Sequence, residues 1–434
     1  MYKKYITFLF IWGVIVSLPI FVYGDENASQ EVSFPDKYFE RAIREKIGKP
    51  SGLIYKSDLR KIEVLDLGDR FIENIEGLQY CKNLTYLAHC CGEIADLSPL
   101  ANLTKIKHID LGVNPVVDIS PLSSLSSLTY LSLERTDVSD LSPLSNLTSL
   151  KELSLSYNDI SDITSLSTLT NLEKLYLQGN VISDLSPLSN LTNLTVIDLS
   201  KNNISDITPL ANLETLEKLN LDTNKITDLS PLTTLTSLKH LSLGRNKIFD
   251  TTPLANLTNI EILSIGGKSV SDISPIANLT NLKQLYVNET CISDISPLST
   301  LTSVYWLDLA DNNISDLSPL RHLTNLSLLD LSKNNISYIS PLIELSKKDS
   351  DGMLTVDVRD NPVDSDSLKE LEKRVELRKT APESPGPVLS STSFPTQTSS
   401  FPPSSPPQKD NTLIYLGIVG ILVVLVFVVH VVRR

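Results

Sequence analysis

The sequence predicts an α/β solenoid, a curved rod with a concave parallel β-sheet and 3-10 or short helical turns on its convex side. Three observations carry this: a fixed stride, an alternating apolar core in every copy, and leucines spaced by three between those cores. Asn158, Asn180, Asn202, Asn224 and Asn246 stand 22 residues apart in lines such as LSPLSNLTSLKELSLSYNDISD, residues 141–162. A constant stride of this size marks stacked repeats. The frame runs back through positions 114, 92 and 70 and forward through 268, 290, 312 and 334, with Asn361 arriving 27 residues later. Fourteen turns therefore fit between Ile62 and Val363, the repeat domain 62–363.

The chain opens on MYKK, followed by an apolar run from Tyr5 to Val22 and a small residue at Gly24. This reads as a secretory signal over residues 1–24. Residues 25–61 are expected to cap the open end of the stack. Within them FPDKYFERAIREKIGKPSG sets Phe39, Ala42, Ile43 and Ile47 on one helical face and stops at Gly48. A second short turn, KSDLRKI, is expected to begin at Ser57.

Each turn then approximates L-x-x-L-x-L-x-x-N-x-I, as in Leu150, Leu153, Leu155, Asn158 and Ile160. This is the leucine-rich repeat signature. Strand alternation sends Leu153 and Leu155 inward and Ser154 and Ser156 outward, so each turn adds one strand to a parallel sheet. Leu141, Leu144, Leu147 and Leu150 are spaced by three, which suits a 3-10 turn capped by Ser142 with Pro143 at its first position. No turn buries its leucines alone, so neighbours must stack. Asn at the bend is expected to satisfy backbone groups of adjacent turns, with Gly92, Lys268 and Arg70 breaking the column. Eleven turns, from Asp96 to Asp316, carry Asp after the Ile. These carboxylates are expected to cap the amides of the Ser-Pro turn that follows rather than to form a calcium stripe.

Residues 364–379 are expected to form a C-terminal capping helix, with Leu368, Leu371 and Val375 on one face and Ser367 and Glu370 at capping-box spacing. The five extra residues of the last turn, around SKKDSDG, lead into it. Residues 380–411 are rich in Pro, Ser and Thr and read as a stalk that spans up to about 100 Å if extended. The run from Leu413 to Val432 has no formal charge, so residues 412–432 read as a transmembrane helix with 433–434 as cytoplasmic tail. The expected location is the cell membrane, single-pass, with the repeats extracellular. A lipid-anchor signal is the alternative means of attachment. Sequons at Asn146, Asn190 and Asn325 fall at repeat consensus positions, so repetition explains them.

A formal charge of −13 argues against nucleic acid and favours basic protein surfaces. Cys81, Cys90, Cys91 and Cys291 are too few and too irregular for a disulfide framework. Cys81 takes a leucine position and is expected to pack as an apolar residue. Cys90 and Cys91 leave a vicinal disulfide or a reactive thiol open. His89, which occupies a leucine position, His108, His240 and His322 are scattered without metal spacing or a paired nucleophile. No catalytic residue, metal or cofactor is expected, and the chain does not read as an enzyme.

On these residues the chain resembles the internalin-like leucine-rich repeat proteins of the bacterial cell surface. The resemblance covers residues 34–363: the cap FPDKYFERAIREKIGKPSG, then turns of the type ISDLSPLSNLTSLKELSLSYN. It implies a protein without catalytic residues that binds partners through the concave sheet. No Leu-Pro-x-Thr-Gly wall-sorting motif precedes the C-terminal apolar run, and no immunoglobulin-like module follows the repeats.

The residues left for a particular task are those facing outward from the strands. Tyr286, Tyr305 and Trp306 come from adjacent turns and are expected to form one aromatic patch bordered by Asp308, Asp311 and Asp330. A smaller set, Tyr130, Tyr157 and Tyr176, lies near the middle. The expected function is recognition or adhesion by a membrane-anchored extracellular protein, with a protein or glycan ligand on the concave face. The alternative is a structural surface coat without a single ligand, indifferent to changes on that face.

Overall fold

The computed structural model describes residues 29–346 and 354–378. The segments expected to be signal, stalk, transmembrane helix and tail, and most of SKKDSDG, lie outside the described residues. Among the described residues no helix is long and apolar enough to cross a membrane.

Fifteen parallel strands, from Val64–Asp66 to Glu376–Leu377, form one sheet in which every strand pairs with its neighbour in sequence. Fourteen of them are the predicted turns. The register never slips: Leu131, Leu153, Leu175 and Ile197 are successive Cα partners, so one stride of the sequence is one step across the sheet. On the far side run short 3-10 turns such as Ser142–Leu144 and Ser186–Leu188, each with proline in its first turn. Leu141, Leu144, Leu147, Leu150, Leu153, Leu155 and Ile160 are all buried, and the same set in the other turns makes one continuous core.

Three local expectations are corrected. Asp140, not Ser142, caps the 3-10 turn: its Oδ1 accepts the Ser142 amide at 2.9 Å and its Oδ2 the Ser142 hydroxyl at 3.0 Å. All eleven aspartates from Asp96 to Asp316 accept this amide bond. Bonds from Ser120 hold the Asp118 carboxyl below its usual range, and Ser318 does the same for Asp316. Next, Ser154 and Ser156 leave the core side but are themselves buried, because in-register neighbours as large as Tyr176 close over small side chains. At the far end, Asp364 caps the helix, accepting from the amides of Asp366 and Ser367, so Ser367 is already inside it.

The bend of each turn forces a left-handed residue just before the asparagine column. Tyr157, Lys201, Arg245 and Glu289 have φ of 57, 56, 54 and 54°. A non-glycine residue is strained there by roughly 1 kcal/mol or more. The strain persists because the freed amide reaches the next turn: Tyr157 N donates to Gln178 O at 2.6 Å and Lys201 N to Asp222 O at 2.8 Å. Carbonyls inside the bend find their donors in the asparagine amides. Asn202 Nδ2 donates to Leu177 O at 2.9 Å and Leu199 O at 3.0 Å, while its Oδ1 accepts Ile182 N at 3.0 Å.

The breaks in this column keep part of its bonding. Arg70 Nη1 donates to Leu67 O at 2.8 Å and Thr136 Oγ1 to Leu133 O at 3.0 Å. At Gly92 a Cβ would lie 2.0 Å from His89 Nε2, so the His89 ring fills the missing side chain's space while its Nδ1 bonds Gly68 O at 3.0 Å. The departures from leucine at 89 and from asparagine at 92 therefore fit one another sterically.

Both ends of the core are closed. Helix α1 (Lys37–Ile47) buries Phe39, Ala42 and Ile43 and ends at left-handed Gly48. Its cap Asp36 holds the Tyr38 and Phe39 amides with Oδ1 and the Glu73 and Asn74 amides with Oδ2, tying the helix to the first turn. Helix α2 (Lys56–Leu59) follows a two-stranded ribbon, Glu31–Val32 with Ile54–Tyr55, that the sequence reading lacks. Helix α3 (Ser340–Ser346) replaces the last 3-10 turn. Helix α4 (Ser365–Glu372) buries Leu371, and the strand Glu376–Leu377 after it, where helix was expected to continue, covers the sheet edge.

Asn202→Ala strands the Ile182 amide and leaves Leu177 O and Leu199 O with only the Asn180 and Asn224 amides, and is expected to destabilise by about 2–3 kcal/mol. Asn202→Thr keeps one hydroxyl donor, as Thr136 does, and is expected to cost about half as much. Urea unfolding of both variants checks this; equal losses would sink the ladder as the stabilising element.

Candidate functional site

In-register strands put equivalent residues one strand spacing apart, about 4.8 Å. On the face turned away from the core this spacing stacks rings. Tyr86, His108 and Tyr130 occupy one column with ring centroids 4.3 and 4.0 Å apart and interplanar angles of 11° and 6°. All three are half-buried. Burial lowers the His108 pKa, so the ladder carries a neutral imidazole at its centre. Glu152 continues the column and pairs with Lys174 at 3.0 Å.

The predicted middle set is not one cluster. Tyr130 belongs to this ladder, and Tyr176 lies buried between Ser154 and Asp198 in the neighbouring column. Tyr157 sits at the strained bend, its ring against Gly179, where a Cβ would approach to 2.6 Å. Arg135 lies 4.8 Å and Lys201 5.4 Å from that ring's centroid.

The predicted C-terminal patch is assembled but sits deeper than expected. Tyr286 and Trp306 rings lie 5.4 Å apart at 59°. Tyr286 donates its hydroxyl to Gln284 Oε1 at 3.0 Å, and Gln284 Nε2 meets the Tyr305 hydroxyl. Tyr286 is only 4% exposed, whereas Tyr305 is 40% exposed and Trp306 half-buried, so the last two supply the accessible ring surface.

The acidic border is scaffold. Asp308, Asp330 and Asp357 are paired in register and buried. Asp308 accepts from Ala310 N and Asn288 Nδ2, Asp330 Oδ1 from Ser332, and Asp357 pairs with Arg359. Asp330 Oδ2 is buried without a partner. Burial raises the Asp308 pKa. Asp311 faces Lys268 at 3.5 Å. Among the described residues no three His, Cys, Asp or Glu side chains converge to hold a metal ion.

Cys81 is fully buried, as its leucine position implies. Cys90 and Cys91 carry free thiols in contact with each other. Burial, then the Cys91 contact, pushes the Cys90 thiol up to about 12, which removes it as a reactive thiolate at neutral pH.

Between the two aromatic clusters the face opens into a hollow of about 410 Å³, lined among others by Asp198, Asn220, Asp222, Gly244, Gly266 and Asn288. Asp222 Oδ1 accepts the Gly244 amide at 2.6 Å. Asp198 is buried and held by Ser200 and Asn220. The ring ladder and the hollow both escaped the sequence reading, although each has a sequence signal. Tyr86, His108 and Tyr130 recur at the repeat stride, and so do Gly244 and Gly266.

Burial, reinforced by Asp198, pushes the Asp222 carboxyl up to about 6. Between the unfolded value near about 4 and that figure, the folded chain binds a proton that the unfolded chain has released. This group's contribution to stability therefore falls as pH rises through that window. Asp222→Asn is expected to exceed the wild type in stability by about 1–2 kcal/mol near neutral pH and to match it at about pH 4, after discounting for partial solvation. Urea unfolding at both pH values checks it; a difference independent of pH would count against a buried charge here.

The family of Leucine Rich repeats (2 copies) matches residues 126–168, 170–212 and 258–300. No curated protein matches the chain. Among solved structures, the internalin InlF of Listeria monocytogenes is 39% identical, over 72% of this chain and 94% of that one, with a TM-score of 0.71. The functional domain of InlJ from the same organism is 21% identical, over 76% of this chain and 82% of that one, at TM-score 0.59. A leucine-rich repeat protein of Leptospira interrogans is 19% identical, over 74% and 97%, at 0.56. The last two likenesses concern the fold alone. With InlF spanned almost end to end at that identity, and with fourteen in-register turns behind a helical cap, the chain belongs to the internalin family of leucine-rich repeat proteins.

Proposed function

We propose that this chain is a membrane-anchored, outward-facing recognition or adhesion protein that grips a protein partner on the open face of its sheet. One observation carries the reading. The rings of Tyr305, Trp306, Tyr86, His108 and Tyr130 are large side chains that keep contact with solvent and take no part in the bonds that recur from repeat to repeat. Leucines, bend asparagines and capping aspartates are all consumed by stacking. Rings in two rows offer contact area at little rotamer cost, which suits binding hot spots. The rows lie roughly 38 Å apart along the sheet, eight strand spacings, within reach of one protein interface.

The acidic balance supports a partner with basic surface, and membership of the internalin family supports recognition over catalysis. The anchor rests on the apolar run at 412–432 and export on the segment 1–24.

The test is affinity capture from envelope and neighbouring-cell extracts with residues 25–379, followed by surface plasmon resonance on the captured protein. Trp306→Ala and Tyr305→Ala are expected to weaken binding at least about tenfold, as is Tyr130→Ala in the ladder. Unchanged affinity in all three would remove the open face as the binding surface. No specific capture by the native protein would favour the surface-coat alternative. Deleting 412–432 is expected to release the chain from carbonate-washed membranes.

A further inference from the structure

The hollow in the middle of the open face is made by an unusual run of small residues. Gly244, Ser264, Gly266 and Gly267 fall in two consecutive turns, and all four line it. A Cβ on Gly266 would lie 3.3 Å from Asn288 O, and one on Gly267 2.8 Å from Asn246 O at a φ of +129°. A larger side chain is thus excluded by the backbone at Gly267 and crowded at Gly266, and the floor there is open main chain.

Among the groups that line this space, Asp222 has a carboxylate oxygen to spare. Asp222 spends Oδ1 on the Gly244 amide, and its Oδ2 has no partner among the described residues. Asn288 spends its Nδ2 on Asp308 at 2.7 Å, and its Oδ1 stands 3.6 Å from where a Gly266 Cβ would be. Of the cations at the rim, Arg245 lies 3.6 Å from Glu289 and its charge also favours the ionised Asp222, while Lys201 is engaged with the ring and hydroxyl of Tyr157.

Other acids on this face are treated differently. Glu152 has Lys174, Asp357 has Arg359, Asp198 has Ser200 and Asn220, and Asp308 has Ala310 and Asn288. Asp330 Oδ2 is unpaired too, but it is sealed from solvent. Asp222 alone of this set turns an unpaired oxygen into a space large enough to receive a group from outside. Its raised pKa shows that the fold alone does not compensate this charge.

We propose that this hollow seats the ammonium group of a lysine side chain projecting from the protein partner, held by Asp222 Oδ2. The assignment rests on the reading that the open face binds a protein, and it names the anchor that the partner supplies. A single free carboxylate oxygen suits a compact cation with three rotatable donors. A guanidinium fork needs both oxygens of a carboxylate, and here one is spent. A sugar hydroxyl donates one bond and leaves the charge uncompensated. The apolar stem of lysine runs out of the hollow beside Tyr286, which lines its wall.

The test needs no partner and uses the full chain in detergent. Saturation-transfer NMR is recorded with Nα-acetyl-lysine methylamide, with its norleucine and arginine counterparts, and with methyl glucoside. The lysine compound is expected to bind in the millimolar range and at least about tenfold more tightly than the other three. Asp222→Asn, which keeps the shape, and Ser264→Leu, which fills the space and retains the carboxylate, are each expected to abolish that preference. Equal binding of the norleucine compound, tighter binding of the arginine compound or the glucoside, or lysine binding unchanged in either variant would overturn the assignment. Loss of partner capture in Trp306→Ala with these results negative would separate failure of the hollow from failure of the open-face reading.

Discussion

The side-chain amide at each bend is the constraint on which the rest of this molecule depends. A chain that turns back on itself every 22 residues directs carbonyls into its own interior, where water cannot reach them. Asparagine answers with two donors and one acceptor, bonding its own turn and the one before it. The same bend demands a left-handed residue in turn after turn, and the inter-turn amide bond repays that strain. Substitutes confirm the requirement by their chemistry: Arg70 and Thr136 each still donate to a carbonyl three residues back, and His89 grows into the space that Gly92 vacates.

Because these duties recur at every stride, they consume most of the recurring letters. Leucine fills the core, asparagine the bend, and aspartate the start of each 3-10 turn. Carboxylates stacked in a column look like a cation site, yet each is committed to amide and hydroxyl donors of the next turn. What remains is the outer face of the sheet, where the requirement is only that side chains of neighbouring strands tolerate one another. That freedom is where the internalin scaffold of this chain carries its own character: a ladder of three rings, a half-sunk tryptophan cluster, and a glycine-floored hollow between them.

The hollow also illustrates how a functional group shows itself energetically. A half-buried carboxylate with one oxygen unpaired burdens the fold near neutral pH, and an isosteric amide would lift the burden. Retaining the charge makes physical sense if something outside the chain completes it, which is the usual relation between stability and function at binding sites.

The period, the strand and turn in each copy, the helical caps and the buried fate of Cys81 were legible from residues alone. They follow from apolar spacing and backbone chemistry, which act locally and repeat. The aromatic patch at Tyr286, Tyr305 and Trp306 was legible as a neighbourhood, since the stride maps sequence distance onto strand distance. Its depth was not, because burial of Tyr286, Asp308 and Asp330 depends on how side chains of three successive strands close over one another. The same reason hid the burial of Ser154, the stacking of His108 between two tyrosines and the hollow beside Asp222. The sequence by itself determined which residues stand in which column. Only the tertiary structure decided which of them meet solvent, because exposure on a sheet face is set by the size of neighbours one turn away and not by a residue's own place in the repeat.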